Sequence, residues 1–145
     1  MAGKNKEAKD GRVVSIEAAR EDVEKWLNFK KVSQPKRDKS HDEIEDLVEA
    51  VSYGLLVINE DFSIKQKLIH KLKNSEGEVT VEELSYKARV KMSEIKVKTK
   101  KIKASDSFGM LTAYASALTG SAMSVLDALD TEDNRNMQAI AHFFL

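Results

Sequence analysis

The last third of the chain, residues 105–145, most restricts the folds that this sequence can adopt. It reads SDSFGMLTAYASALTGSAMSVLDALDTEDNRNMQAIAHFFL and is the most apolar part of an otherwise polar protein. Apolar residues recur there at helical spacing, and the groups Ser-Asp, Thr-Gly-Ser and Asp-Thr-Glu-Asp divide the stretch into three segments. We therefore expect three short helices whose apolar faces must be buried against the rest of the chain or against a partner.

The ends of these segments carry helix-capping signals. Ser105 or Asp106 is expected to cap the first helix, and Gly120 stands where a helix end favours a left-handed residue. Thr131 is expected to cap the last helix, whose early acidic residues suit the positive end of the helix dipole. The sequence then stops on Phe143-Phe144-Leu145 without a C-cap, and a terminal apolar patch of this kind is usually docked or reserved for a partner.

Upstream, the apolar spacing changes from helical to alternating. Alternation over residues 62–72 and 78–90, across a turn that contains Gly77, predicts a β-hairpin with one apolar face. A slip in the alternation predicts a β-bulge near Glu82-Glu83. Because an isolated hairpin is only marginally stable in water, it should lie across helices. The expected fold class is α+β, mainly α: helices with one β-hairpin packed against the short C-terminal helices.

The chain divides into three regions that differ in their expected order and packing. Residues 1–14 are rich in Lys and Gly and are expected to form a disordered tail. Residues 15–39 are expected to form a weakly packed N-terminal helix and a linker around Pro35. Residues 40–145 are expected to form a single α+β domain, with the three-helix unit at 105–145.

A second helix is expected to open that domain. Ser40 and Glu43 have the spacing of a capping box, in which each side chain satisfies a free backbone N–H of the other. An apolar face then runs from Ile44 to Ile58. Gly54 lies inside this pattern and should weaken the last turn by roughly 1 kcal/mol relative to alanine.

Composition excludes several classes of protein. The 24 basic and 24 acidic side chains cancel, so no overall field steers the chain to nucleic acid or to a membrane surface. The absence of cysteine excludes disulfides, Cys-ligated zinc and thiol catalysis. We expect no secretory signal, because the basic start has no apolar core region behind it, and no apolar run approaches the roughly 18 residues that span a membrane. We therefore expect a soluble intracellular protein with no membrane partner.

The residues that carry chemistry show no catalytic pattern. The histidines are His41, His70 and His142. No pair of them has the spacing of metal ligands. The acidic run from Asp127 to Asp133 lacks the glycine and closing glutamate of a calcium loop, and helix capping explains it more simply. We expect no catalytic residue, no metal, no cofactor and no enzymatic activity.

Two stretches have binding potential. The first is basic: Lys87, Arg89, Lys91, Lys96, Lys98, Lys100, Lys101 and Lys103. Since lysine dominates over arginine, it could bind phosphates without sequence preference, form a solvated face or contact an acidic partner; nucleic acid is the less favoured reading. The second is the C-terminal region, where Met110, Met123 and Met137 supply flexible thioethers that suit either a core or a surface for several apolar partners.

Two segments of the chain resemble the tail assembly chaperones of long-tailed bacteriophages, most nearly the Mu-like group. The first, Lys65 to Ile95, contains QKLIHKL, a turn with Gly77 and VEELSYKARVKMSEI, and is similar to that family's strand, turn and second strand leading into a short helix. The second, YASALTGSAMSVLDALDTEDNRNMQAIAHFFL, resembles its C-terminal pattern of a helix ending in Leu-Thr-Gly, a short helix ending in Leu-Asp and a closing helix. Lys71 and Ala88-Arg89 depart from positions where the family often has proline and Arg-Pro.

The resemblance implies a non-enzymatic protein in the host cytoplasm. Such a protein binds the long, apolar, helical tape-measure protein of the phage tail, keeps it soluble, and is displaced as tail-tube subunits polymerise. The tail-tube protein and self-association stay open as further contacts. The alternatives are a small helical nucleic-acid-binding or regulatory protein that uses the basic 87–103 stretch, and a structural tail protein retained in the virion.

The density of apolar residues in the C-terminal region gives a hypothesis for the client surface. Contact between a groove and an amphipathic helix is the natural way to hold a helical client. The expected partner-binding residues are Met110, Leu111, Tyr114, Leu118, Met137, Ile140, Phe143 and Phe144.

Overall fold

Seven helices and a three-stranded antiparallel sheet make up residues 11–145, the part of the chain that the computed structural model describes. The helices are α1 (Ile16–Phe29), α2 (Gln34–Lys39), α3 (His41–Ser52), α4 (Met92–Thr99), α5 (Ser107–Thr119), α6 (Met123–Asp127) and α7 (Thr131–His142). The strands are β1 (Leu56–Ile58), β2 (Ile64–Lys73) and β3 (Val79–Tyr86), in the order β1-β2-β3. The predicted class is confirmed: the fold is α+β, mainly α, and the β2–β3 hairpin packs against α5 and α7.

The first strand, β1, was not predicted, because its apolar residues read as the end of a helix. Gly54 adopts φ +76° and ends α3, with Leu55 N–H donating to the Ala50 carbonyl at 2.9 Å. A side chain at this glycine would also meet Val13, since a Cβ built there lies 2.8 Å from that valine. Gly54 therefore turns the chain out of the helix and into the sheet, and the prediction of one helix to Ile58 is wrong.

The prediction of a weakly packed N-terminal helix is also wrong. The apolar stripe of α1 is narrow, but Ala19, Val23, Trp26 and Leu27 are all fully buried. They belong to one core with α3, the sheet, α5 and α7. A large aromatic side chain buries roughly 150–250 Å², so a narrow stripe that contains Trp26 can hold the helix.

The expected linker is a short helix, α2. Pro35 lies in its first turn, where the missing N–H of proline has no helical partner to lose. Ser33 caps the helix by accepting from Lys36 N–H at 3.3 Å, and Arg37 donates to Glu24 of α1 at 2.8 Å. The segment therefore lies against α1.

The expected disordered tail, residues 1–14, is only partly covered by the structure. Residues 1–10 lie outside the described residues. Val13 and Val14 donate their N–H groups to the Ser52 carbonyl at 2.9 and 3.1 Å, so residues 13–14 are held against the end of α3 rather than disordered.

Three buried polar side chains join the hairpin to α7. The Tyr86 hydroxyl donates to Gln66 Oε1 at 2.6 Å, and Gln66 Nε2 donates to the Asp133 carbonyl at 2.9 Å. The Asp133 carboxylate accepts the N–H groups of Ile69 at 2.8 Å and His70 at 3.0 Å. Burial, together with the nearby Asp133 charge, raises the pKa of the Tyr86 phenol, which therefore stays protonated.

This network explains an irregularity in the hairpin. In the β2–β3 pairing, Lys67 lies opposite Glu83 but Leu72 lies opposite Val81, so β2 has more residues than β3 between these two pairs. Two of these β2 residues, Ile69 and His70, donate their N–H groups to Asp133. The predicted β-bulge near Glu82-Glu83 is confirmed in position, but most of the extra length lies on the opposite strand.

The helix caps follow local sequence, with two corrections. Asp106 accepts from Gly109 N–H at 2.9 Å, and Gly120 adopts φ +75° at the end of α5, as expected. Asp130, rather than Thr131, caps α7. The capping box of Ser40 does not form, because the Ser40 hydroxyl is hydrogen-bonded to His142 Nε2 at 2.8 Å.

Within the described residues, no helix combines the length and apolar character needed to cross a membrane.

The buried carboxylate gives a stability prediction. Asp133→Asn replaces one acceptor oxygen by an amide NH₂ that faces a backbone N–H, so one buried donor loses its partner. We expect the free energy of unfolding to fall by about 3 kcal/mol, measured by urea denaturation. The matched control, Asp127→Asn on the exposed surface of α6, should change it by less than about 0.5 kcal/mol. Equal effects at the two positions would contradict the role of the network.

Candidate functional site

Half of the predicted client surface lies in the core. The four buried residues are Leu118, Met137, Ile140 and Phe143, each between 0% and 4% exposed. Helical spacing in the sequence cannot separate a face that meets the rest of the chain from one that meets a partner. For these four residues, the assignment as accessible contact residues is wrong.

The terminal aromatic pair is docked on α1. Phe143 meets Trp26 edge to face, with ring centroids 5.8 Å apart and planes at 88°, and Phe144 lies 6.1 Å from the same indole. Phe143 N–H donates to the Ile140 carbonyl at 3.3 Å, and Phe144 N–H to that of Ala141 at 2.9 Å. The uncapped end is thus closed by tight turns and by an aromatic contact with a residue more than a hundred positions away.

The other four predicted residues keep part of their surface. They are Met110, Leu111, Tyr114 and Phe144. Tyr114 and Phe144 are brought together as lining of an open groove of ≈ 350 Å³, whereas Met110 and Leu111 lie outside it. The groove is lined by Phe29, Lys30, Lys31, Ala88, Arg89, Val90, Met92, Ile95, Tyr114, Phe143 and Phe144. This groove is the candidate functional site.

Four parts of the fold converge on the groove. The end of α1 supplies one wall, the segment after β3 and the start of α4 supply the opposite wall, and α5 and the residues after α7 supply aromatic rings. Phe29 is fixed from behind, because its ring stacks on Phe62 with centroids 4.4 Å apart and planes at 13°. Met92 is 60% exposed, so this wall offers an apolar side chain to solvent.

Cations stand over the aromatic rings of the groove. Lys30 Nζ lies 3.4 Å from the centroid of the Phe144 ring, and the Arg89 guanidinium lies 5.6 Å from that of Phe29. Burial, together with the positive charges of Lys36 and Arg89, lowers the pKa of Lys30 to about 8. The groove therefore combines apolar rings with positive charge.

Two residues near the groove have strained backbones. Lys31, in its wall, has φ +56°, and Phe62, behind Phe29, has φ +67°. The left-handed region costs a residue with a Cβ about 1 kcal/mol, and such residues gather at functional sites. Sequence reasoning missed these positions, because neither a lysine nor a phenylalanine signals a left-handed turn.

The histidines lie in separate places. His142 is paired with Ser40, as a base is paired with a nucleophile, but Ser40 is only 2% exposed and out of reach of a substrate. Within the described residues, no carboxylate is hydrogen-bonded to His142. The pair therefore ties α3 to the end of α7.

A cluster of His70, Asp130 and Glu132 was not predicted, because the sequence was searched only for pairs of histidines. His70 Nε2 lies 3.7 Å from Asp130 and 3.4 Å from Glu132, and the three groups could hold a metal ion. The acidic run of the sequence contributes two of its members. All three side chains are substantially exposed, and the hydrogen bond between His70 Nε2 and Glu132 accounts for the arrangement as an ordinary surface contact.

Comparison of the chain with models of protein families, with curated proteins and with solved structures finds no match. The site is therefore interpreted from its own geometry.

The aromatic dock gives a stability prediction. Phe143→Ala should lower the free energy of unfolding by about 3–4 kcal/mol, because it leaves a cavity against Trp26. Fluorescence of Trp26, the one tryptophan of the chain, should shift to the red as solvent enters. Leu145→Ala is the control, since Leu145 is 52% exposed. A loss below about 1 kcal/mol in Phe143→Ala would show that this dock contributes little.

The Ser40–His142 contact gives a pH prediction. Burial lowers the pKa of His142 below its usual 6.5, with Lys36 adding to the shift and Glu43 opposing it. Below pH 6.5 the unfolded chain binds this proton more readily, so stability is lost as pH falls through the folded pKa. His142→Gln keeps a hydrogen-bonding side chain and should lose less stability than wild type between about pH 7 and 5 in urea titrations. Parallel losses would contradict this account.

Proposed function

We propose that the protein is a non-enzymatic phage tail assembly chaperone that holds apolar helical segments of the tape-measure protein in its groove. It would do so in the host cytoplasm until tail-tube subunits displace it. The observation that carries the proposal is the groove itself: aromatic and thioether side chains remain partly open to solvent where four parts of the fold meet.

The size of the groove suits side chains of a helix rather than a whole helix. A cavity of about 150 Å³ holds one benzene ring, so ≈ 350 Å³ admits about two large apolar side chains. A client helix would lie across the opening and insert residues one turn apart, as in other helix-in-groove contacts. Short contacts of this kind are weak singly, which suits a chaperone that must later be displaced.

The lining is adaptable as well as apolar. Met92 is exposed and unbranched, so it can repack against different side chains. Tyr114 and Phe144 offer partly open rings above the core. A tape-measure protein presents many different apolar segments, and a flexible lining can accept several of them.

The nucleic-acid alternative has one observation in its favour. Lys96, Lys100, Lys101 and Lys103 are exposed on and after α4, with no carboxylate paired to them in the described part of the chain. Binding through these lysines would fall steeply with salt and would not depend on the groove.

The third interpretation, a structural tail protein, requires the chain to be found in purified virions.

Coexpression with the tape-measure protein tests the proposal. On this proposal, the client would be a long, helix-rich tape-measure protein. Met92→Ser combined with Tyr114→Ser should remove most of the client from the soluble fraction, because the groove then loses two apolar contacts. Both side chains are partly exposed, so the variant itself should stay folded by circular dichroism.

The matched control removes apolar surface elsewhere. Val97 and Phe108 are 72% and 70% exposed and lie outside the groove. Val97→Ser combined with Phe108→Ser should leave client solubility unchanged. If this control loses the client while the groove variant keeps it, the α4–α5 surface is the binding site. If wild type does not solubilise the client at all, the proposed function is wrong.

A further inference from the structure

We propose that the groove selects an acidic amphipathic helix, in which a carboxylate stands between apolar side chains and is bound by Lys30, Lys31 and Arg89. We refer to these three residues as the groove cations. This inference rests on the proposed function, because it names the chemistry of the client segment that the same groove would hold.

The charge balance of the groove supports an anionic partner. Among residues 11–145, no acidic residue lines it, although the whole chain has as many acidic as basic side chains. Arg20 and Arg37, by contrast, are paired within the fold: Arg20 donates to Glu45 at 2.6 and 2.9 Å, and Arg37 donates to Glu24 at 2.8 Å. Within the described residues, no groove cation stands in an ion pair. A carboxylate from outside is the group that would complement them.

Lys30 differs from the free lysines of α4, which are largely surrounded by water. Its ammonium is half-buried on an aromatic ring, and burial followed by repulsion from Lys36 and Arg89 lowers its pKa to about 8. A bound carboxylate would offset both the lost hydration and the repulsion. A solvated lysine gains much less from an anion, because water and salt already screen its charge.

The backbone at Lys31 gives an independent argument. Helices α1 and α3 end in the same way: the N–H two residues beyond the cap bonds to a carbonyl five residues back, Val32 to Leu27 at 3.0 Å and Leu55 to Ala50 at 2.9 Å. The left-handed position of this motif favours glycine. The end of α3 has Gly54 there, but the end of α1 has Lys31. A lysine thus stands at a position where glycine would be more stable, and this lysine is one of the residues that line the groove.

The aromatic rings under the cations specify an amphipathic partner rather than a simple anion. Lys30 and Arg89 each stand over a phenylalanine ring of the groove, so positive charge and apolar surface are adjacent. A free phosphate would meet the charge and leave the rings exposed. A helix with a glutamate one turn from leucines would cover both.

Three synthetic helical peptides test the inference. Each has about 18 residues and the same apolar face, with Glu, Gln or Lys at its centre. In fluorescence anisotropy at about 50 mM salt, the Glu peptide should bind about tenfold more tightly than the Gln peptide, and the Lys peptide most weakly. At about 500 mM salt the Glu and Gln peptides should differ by less than about threefold, because salt screens the charge contact.

Groove variants locate the effect. Arg89→Gln should remove most of the preference for Glu over Gln while leaving the affinity for the Gln peptide within about twofold. Lys31→Gly should raise the melting temperature by about 3 °C, through relief of the left-handed strain, and still weaken binding of the Glu peptide. Lys100→Gln, which changes an exposed lysine outside the groove, should behave as wild type. A purely structural role for Lys31 would raise stability without loss of binding.

Several results would overturn the inference. Equal binding of the three peptides while the tape-measure protein is still solubilised would reject the acidic preference and leave the proposed function standing. A preference for Glu that persists in Arg89→Gln would place the contact elsewhere. Displacement of the Glu peptide by a single-stranded oligonucleotide, lost in Arg89→Gln, would show that the groove cations bind phosphate. Failure of wild type in the coexpression assay would reject the proposed function itself.

Discussion

The buried carboxylate of Asp133 is the interaction on which the arrangement of the fold depends. The carboxylate accepts hydrogen bonds from two backbone N–H groups of β2 that do not take part in strand pairing. The backbone carbonyl of Asp133 accepts from the Gln66 side chain, which in turn accepts from the Tyr86 hydroxyl. A charge at the start of a helix is favoured by the helix dipole, and the two hydrogen bonds replace the water that it loses. One residue thus fixes α7, the bulged strand and the paired strand relative to one another.

The groove lies at the far end of α7 from Asp133 and directly after the strand that ends at Tyr86. From Asp133, α7 runs to Phe143 and Phe144, which pack on Trp26 of α1. From Tyr86, β3 leads directly into the segment that carries Arg89. Because packed elements move as rigid units, the network helps to position both of these parts of the groove. The helices therefore position the groove residues precisely enough for cations and rings to be adjacent, although most groove residues lie in irregular segments.

Local signals in the sequence predicted local structure well. Asp106 and Gly120 bound α5 because a capping side chain and a left-handed glycine act within one turn. The contacts that failed to be predicted are long-range: the dock of Phe143 on Trp26, and the buried role of Asp133, which read as an ordinary dipole residue. An apolar stripe in the sequence indicates that a helix face is buried, but it does not indicate which residues cover that face. This is why half of the predicted client surface is core, while Lys30 and Arg89 were not recognised as part of the site.

The costs in stability are unevenly distributed, and this favours a functional reading of the groove. At the Asp133 end, buried polar groups are satisfied and glycine stands where the backbone is left-handed. At the groove, Lys31 is strained, Phe62 is strained behind the ring of Phe29, and Lys30 has lost part of its hydration. Substitutions such as Lys31→Gly would relieve these costs without disturbing the core. A fold that follows local preferences elsewhere and departs from them along one cationic, aromatic groove points to binding as the property that these residues serve.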